Sequence, residues 1–307
     1  MTPTRSGATS APDFPSDVPN ASVRAATIMK AASLCGVLGT RSDRAPRLLA
    51  ALCNPTISLA EVAALVELDP ALSLRVLRVA NSAYYARSRS IGTIGRALSL
   101  LGLHSVRGIA AAACLDRVLT VGASSTKDLK AVMYHSMATA TAAESLARVS
   151  HPAQAADAFI AGLLHNAGTI VQMHLDTPGV QTLMQQPGDG PLDIRQLEAD
   201  HGIIGHEECG AVIFAAWNLP EPLVVATGHH HGPLEEAPHA HRDLVAYIQV
   251  GASLALACGY TFSLEPAATP GDPAAVAQLG LDDDQIAAVA ATVPERVAAL
   301  DDALFGA

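Results

Sequence analysis

The chain has 307 residues, half of them apolar and only 4% aromatic, which excludes disorder throughout and favours close-packed helices over sheets, because strands prefer β-branched and aromatic side chains. The net charge of −10 is uneven: residues 1–117 hold 13 Lys and Arg against 7 Asp and Glu, and residues 118–307 hold 6 against 22. An acidic chain of this kind implies no nucleic-acid partner, and no run approaches the roughly 18 uninterrupted apolar residues of a membrane span.

Residues 1–22 are rich in Pro, Ser, Thr and Ala, too poor in apolar side chains to offset the entropy of ordering, so a disordered tail is expected. The apolar stretch from Ala25 to Leu38 is broken by Lys30 and lacks a small-residue cleavage site; no export signal is expected. A helical subdomain then covers residues 23–125. Ser58 and Glu61 form a capping box ahead of Val62, Leu65 and Val66. Asp69-Pro70 marks a second start, since proline at the first helical position gives up only an N–H without a partner. Leu72, Val76, Val79 and Ala80 follow at i, i+4, i+7 and i+8 as one buried stripe. Asn81-Ser82 reads as a structural turn that ends it, and Thr93 caps a further helix stopping at Gly102.

Between Ala71 and Leu115 the chain carries Arg75, Arg78, Arg87, Arg89, Arg96 and Arg107 and no acid. They suit a docking face for an anion or an acidic partner; pairing with the acidic half of the same molecule is the plainer use.

A second helical subdomain spans residues 126–262, with a long helix from Thr126 to about Val149, another from Pro152 to His165, and further helices near 193–200, 205–217, 221–229 and 243–257. Gly and Pro from Pro178 to Pro191 predict a surface loop, and residues 263–280 a linker. Residues 281–307, with Ile286, Val289, Val293, Val297 and Leu300 at helical spacing, predict a C-terminal amphipathic helix. The fold class expected is all-α.

Among twelve histidines, His135, His165, His206, His229 and His230 fall where helix ends converge in such a bundle. Imidazole is a good ligand for transition metals, and bundles build such sites on facing helices; a lone histidine more commonly satisfies a backbone carbonyl. Five cysteines, Cys35, Cys53, Cys114, Cys209 and Cys258, are scattered without a C-x-x-C pair, so neither a disulfide framework nor a zinc ribbon is indicated and a cytoplasmic, reducing compartment fits. There is no P-loop, nucleophile elbow, dinucleotide fingerprint or kinase signature.

Taken in order, Asp69-Pro-Ala-Leu72, Arg75-Val-Leu-Arg-Val-Ala-Asn-Ser82, Leu101-Gly102, Tyr134-His135-Ser136, Ala158-Phe-Ile-Ala-Gly-Leu-Leu-His-Asn-Ala-Gly168, Glu198 with Gly202 and His206, Trp217-Asn-Leu-Pro220 and His229-His230 resemble the HDOD family over roughly residues 43–260. The resemblance implies a multi-helix bundle related to the HD metal phosphohydrolases. In catalytic relatives a histidine-aspartate doublet and a late aspartate help hold the metals that activate water. Here the doublet is His165-Asn166, and the late position falls at Ala252. The resemblance therefore implies a degenerate site with no hydrolytic dinuclear centre. At most one divalent transition metal would bind, through His135, His165, His206 and His229 or His230. It implies a non-catalytic regulatory or protein-interaction module whose partner is a signalling protein or a small phosphate ligand. The alternatives are a metal-dependent phosphohydrolase acting on nucleotides and a metal or anion sensor.

Overall fold

The capping box at Ser58 forms as its spacing requires: the Glu61 backbone N–H donates to Ser58 Oγ, and the Ser58 N–H donates to the Glu61 carboxylate at 2.8 Å. That start, α1 (Leu59–Glu67), belongs to a computed structural model that describes residues 56–81, 91–102, 126–175, 178–184, 193–217, 219–265 and 272–305, with Ala51 and Val106. The tail at 1–22, Ser82, Arg87, Arg89 and Arg107 lie outside the described residues.

Asp69 accepts from the Leu72 N–H at the head of α2 (Pro70–Asn81). The stripe of Leu72, Val76, Val79 and Ala80 is buried. Asn81 ends it as a structural residue: its amide donates to Leu77 O and Ile91 O, and its oxygen accepts from the Ile91 N–H at 2.8 Å. Helix α3 is described over residues 94–102, and Gly102 has φ +77°.

The centre of the molecule is α4 (Thr126–Ser150), against which α5 (Ala155–Leu164) and α11 (Arg242–Ala257) pack. Small residues set these crossings. A Cβ on Gly162 would sit 2.8 Å from Ala140 Cα, and one on Gly251 3.0 Å from Thr139 O. A second layer holds α6 (Ala167–Leu175), α7 (Pro178–Met184), α8 (Ile194–Asp200), α9 (His206–Ala216) and α10 (Glu221–Gly228). Here α6 and α9 approach so closely that a Cβ on Gly168 would fall 1.8 Å from His206 O.

Two segments expected to be irregular are helical. Pro178 opens α7, where the sequence predicts a loop, because proline is preset for the first helical position and Val180 and Leu183 are buried at i, i+3. The predicted linker 263–280 contains α12 (Pro273–Leu279), capped by Asp272 and anchored by buried Ala275 and Leu279. It also contains the end of a turn in which Phe262 and Glu265 exchange backbone hydrogen bonds, with Phe262 and Leu264 buried. That isolated bridge is the nearest approach to strand among the described residues.

The last helix, α13 (Asp283–Phe305), lays Val289, Val293 and Val297 against α4 and also meets α2. Arg296 bonds to Thr141 O, Ser145 Oγ and Glu144, and the Tyr134 hydroxyl donates to Asp301 at 2.6 Å. Among the described residues no helix is long and apolar enough to cross a membrane. The fold is all-α.

Candidate functional site

Side chains from the middle of one helix, three helix ends and one turn meet in the buried space between α4, α5, α9 and α10; His135, expected at a helix end, lies within its helix. His135 lies in the middle of α4 and His165 just past α5; His206 opens α9, and His230 and His231 follow α10. Ring centroids are 5.4 Å apart for His135 and His165, 4.9 Å for His165 and His230, 5.0 Å for His206 and His230, and 4.4 Å for His230 and His231. Of the two histidines that the sequence offers after α10, it is His230 that joins. His229 turns back on its own helix, its Nδ1–H donating to Val225 O at 3.0 Å.

Acceptor-only partners fix the tautomers. Nδ1–H donates to Tyr260 O from His135 at 2.8 Å, to Gly162 O from His165 at 2.6 Å, to Glu198 Oε1 from His206 at 2.8 Å, and to Thr227 O from His230 at 2.7 Å. A ring held this way carries its lone pair on Nε2 whenever it is neutral. At His165 that lone pair is already engaged, because the Asn166 amide donates to it at 2.9 Å while Thr169 Oγ donates to Asn166 Oδ1. At His206 and His230 the two Nε2 atoms face one another at 3.1 Å.

Carboxylates surround this cluster, and the sequence reading missed what they do here. Glu198 also accepts from the His206 N–H at 2.9 Å and from Gln172 Nε2 at 2.7 Å. Glu207 accepts from the His231 N–H and lies 3.4 Å from Arg195 Nε. Glu265, expected in a linker, arrives from the Phe262 turn with one oxygen 3.2 Å from His231 Nε2 and the other 3.5 Å from His135 Nε2. The residues that the sequence groups at this cavity include no carboxylate; the structure places Glu265 beside them. Ala252, half-buried on α11, brings only a methyl group. Three residues away, Gln249 donates to His229 O and Gly232 O and so shapes the turn that carries the late histidines.

Burial, then the nearby His135, holds His165 down to about 3, and burial with His231, His165 and His206 around it keeps His230 well below its ordinary value. Burial also opposes charge on His231, but Glu265 and then Glu207 and Glu198 outweigh it and push that ring up to about 9. Burial would raise Glu265 and Glu198; the imidazoles around Glu265, and His206 beside Glu198, hold both below the usual carboxylate range. The cluster thus sets the neutral rings of His165 and His230 beside a protonated His231 held against Glu265; once His231 gives up its proton, imidazole nitrogens with that carboxylate fit a single borderline-soft divalent ion better than Mg or Ca. The doublet does not fit a second metal, since Asn166 directs a donor at the nitrogen that would have to ligate.

The described arginines of the arginine-rich segment lie on α2 and α3, with Arg78 and Arg96 exposed and Arg75 half-buried.

Residues 38–233 match the family model described as HDOD domain. An uncharacterized protein of Treponema pallidum (strain Nichols) is 28% identical over 199 residues, covering 64% of this chain but only 38% of that protein, so the chain spans well under half the length of the curated relative it matches. Among solved structures, an HDOD domain protein with unknown function from Geobacter sulfurreducens superposes with TM-score 0.72 at 21% identity, covering 89% of this chain and 98% of that one. A protein of Shewanella amazonensis SB2B, named provisionally as a phosphohydrolase, gives 0.64 at 21% identity over 85% and 93%. One from Marinobacter aquaeolei VT8, named provisionally as a signal transduction protein, gives 0.68 at 22% identity over 85% and 58%. At such identities the likeness establishes the helical fold.

Proposed function

This chain belongs to the HDOD family, and from that premise we propose that it is a regulatory module of bacterial signal transduction that offers helical surfaces to a partner and does not hydrolyse phosphoesters. The observation that carries the reading is the doublet. A hydrolytic centre needs anionic ligands to balance the metal charge and to orient the attacking water. Asn166 supplies a neutral amide, and its N–H is directed at His165 Nε2 at 2.9 Å with both side chains fully buried. The partner we assign is a signalling protein or a small phosphate ligand, met in the cytoplasm. Arg78 and Arg96 on the exposed side of α2 and α3 are the residues suited to it.

A second reading, metal-dependent phosphohydrolysis of a nucleotide, is favoured by one feature, the carboxylate of Glu265 within 3.5 Å of His135 and His231. One assay separates the two. The 307-residue chain supplied in turn with Mn, Fe, Mg and Zn is expected to turn over nucleoside monophosphates, cyclic dinucleotides and guanosine polyphosphates no faster than buffer. Metal-dependent turnover abolished by His165→Ala would overturn the regulatory reading.

A further inference from the structure

We propose that His206, His230 and His231 bind one divalent transition metal ion, with Glu265 as its anionic partner, at a site displaced from the His165-Asn166 doublet. A ligating atom of each of these three histidines lies within 4.8 Å of the others. The orientation of His206 and His230 is fixed in advance. Glu198 and Thr227 O occupy the two Nδ1–H groups, which leaves two Nε2 lone pairs pointed at each other across 3.1 Å. Two lone pairs at that distance repel unless a cation stands between or beside them. An ion about 2.1 Å from each nitrogen would subtend roughly 95°, within the range of both octahedral and tetrahedral coordination.

The surroundings are those of a supported metal site. Metal-bound imidazoles characteristically donate their other N–H to a carboxylate or a carbonyl, and His206 and His230 each do. Charge balance comes from Glu265, buried and 3.2 Å from His231 Nε2. The turn that delivers it is held by the Phe262 and Glu265 backbone bonds and by burial of Phe262 and Leu264. Imidazole with a single carboxylate selects Zn, Co, Ni, Fe or Cu over Mg and Ca. An ion here would tie the head of α9, the residues after α10 and the turn ahead of α12 to one point, so occupancy would set how these three segments sit together.

The test uses the tag-free full chain, loaded with Zn(II) for calorimetry and with Co(II) for visible absorption. The expected result is one ion per chain, loss of roughly 10- to 100-fold in affinity for His231→Ala and for Glu265→Gln, and unchanged affinity for His165→Ala and for the His239→Ala/His241→Ala double variant of the histidine-bearing turn ahead of α11. Zn(II) should raise the melting temperature of the parent more than that of either weakened variant at the same metal concentration, a readout that also registers whether each variant folds. Failure to bind either metal, which would leave a shared proton between the two Nε2 atoms, overturns the proposal. So does an affinity left unchanged by both His231→Ala and Glu265→Gln, or binding abolished by His165→Ala.

Discussion

The described residues of 56–102 and those of 126–265 both form helices with apolar stripes, yet they use polar side chains in opposite ways. In the first stretch polar groups act at helix ends: Ser58 and Glu61 at the head of α1, Asp69 at the head of α2, Asn81 at its foot. In the second they are taken inside. Every side chain that is both polar and buried among the described residues lies between His135 and Glu265. Burying a polar group is unfavourable unless it is paired, and even the paired state contributes little net stability. A region that buries many of them is therefore organised around something other than stability, and the paired histidines and carboxylates are what it is organised around.

The sharpest way to break this comparison is Glu198→Ala. It leaves the His206 N–H, the His206 Nδ1–H and the Gln172 amide without their common acceptor inside the protein, and a loss of about 3–5 kcal/mol is expected. Urea unfolding at constant slope measures it; a loss below about 1 kcal/mol would mean that water reaches this network and that the two regions do not differ as described.

Asn81→Ala is the matched experiment in the first stretch. Three hydrogen bonds are lost, but at an exposed residue, so about 1–2 kcal/mol is expected. A cost equal to that of Glu198→Ala would erase the contrast.

A smaller effect is expected at the seam between α13 and α4. The hydrogen bond to Asp301, then burial, pushes the Tyr134 phenol up to about 12, above the roughly 10 of an unfolded chain. The folded state keeps this proton where the unfolded state loses it. The contribution is therefore whole below about pH 10 and fades as the pH rises through about 12. Tyr134→Phe should cost about 1 kcal/mol at neutral pH, a modest figure because the hydroxyl is near the surface, and should remove that alkaline step from the profile of melting temperature against pH. Persistence of the step in the Phe variant would assign it elsewhere.

Smallest of all should be Leu74→Ser. Leu74 is 66% exposed on α2, so a change within about 0.5 kcal/mol is expected. A larger loss in chemical denaturation would show that α2 is covered in solution, and the first stretch would then have an interior of its own.

What the sequence by itself determined was everything that depends on neighbours within about four residues. The capping box at Ser58, the Asp69-Pro70 start, the stripe through Val76 and the long helix carrying His135 were readable because caps and apolar periodicity are local. The likeness to the HDOD family marked His165, Asn166 and His206 and narrowed the late ligand to His229 or His230. Helices α7 and α12 are not legible in the sequence, because proline and glycine read locally as breakers, whereas burial of Val180 and Leu183, and of Ala275 and Leu279, decides for helix. Only the tertiary structure chose His230 over His229, enlisted His231 and Glu198, and brought Glu265 into the cluster from a segment that reads as a linker. The reason is geometric. Which lone pairs converge depends on the depth of a helix crossing, such as Gly168 against His206 O, and on which carbonyl or carboxylate takes each Nδ1–H, and neither is set by residues adjacent in the chain.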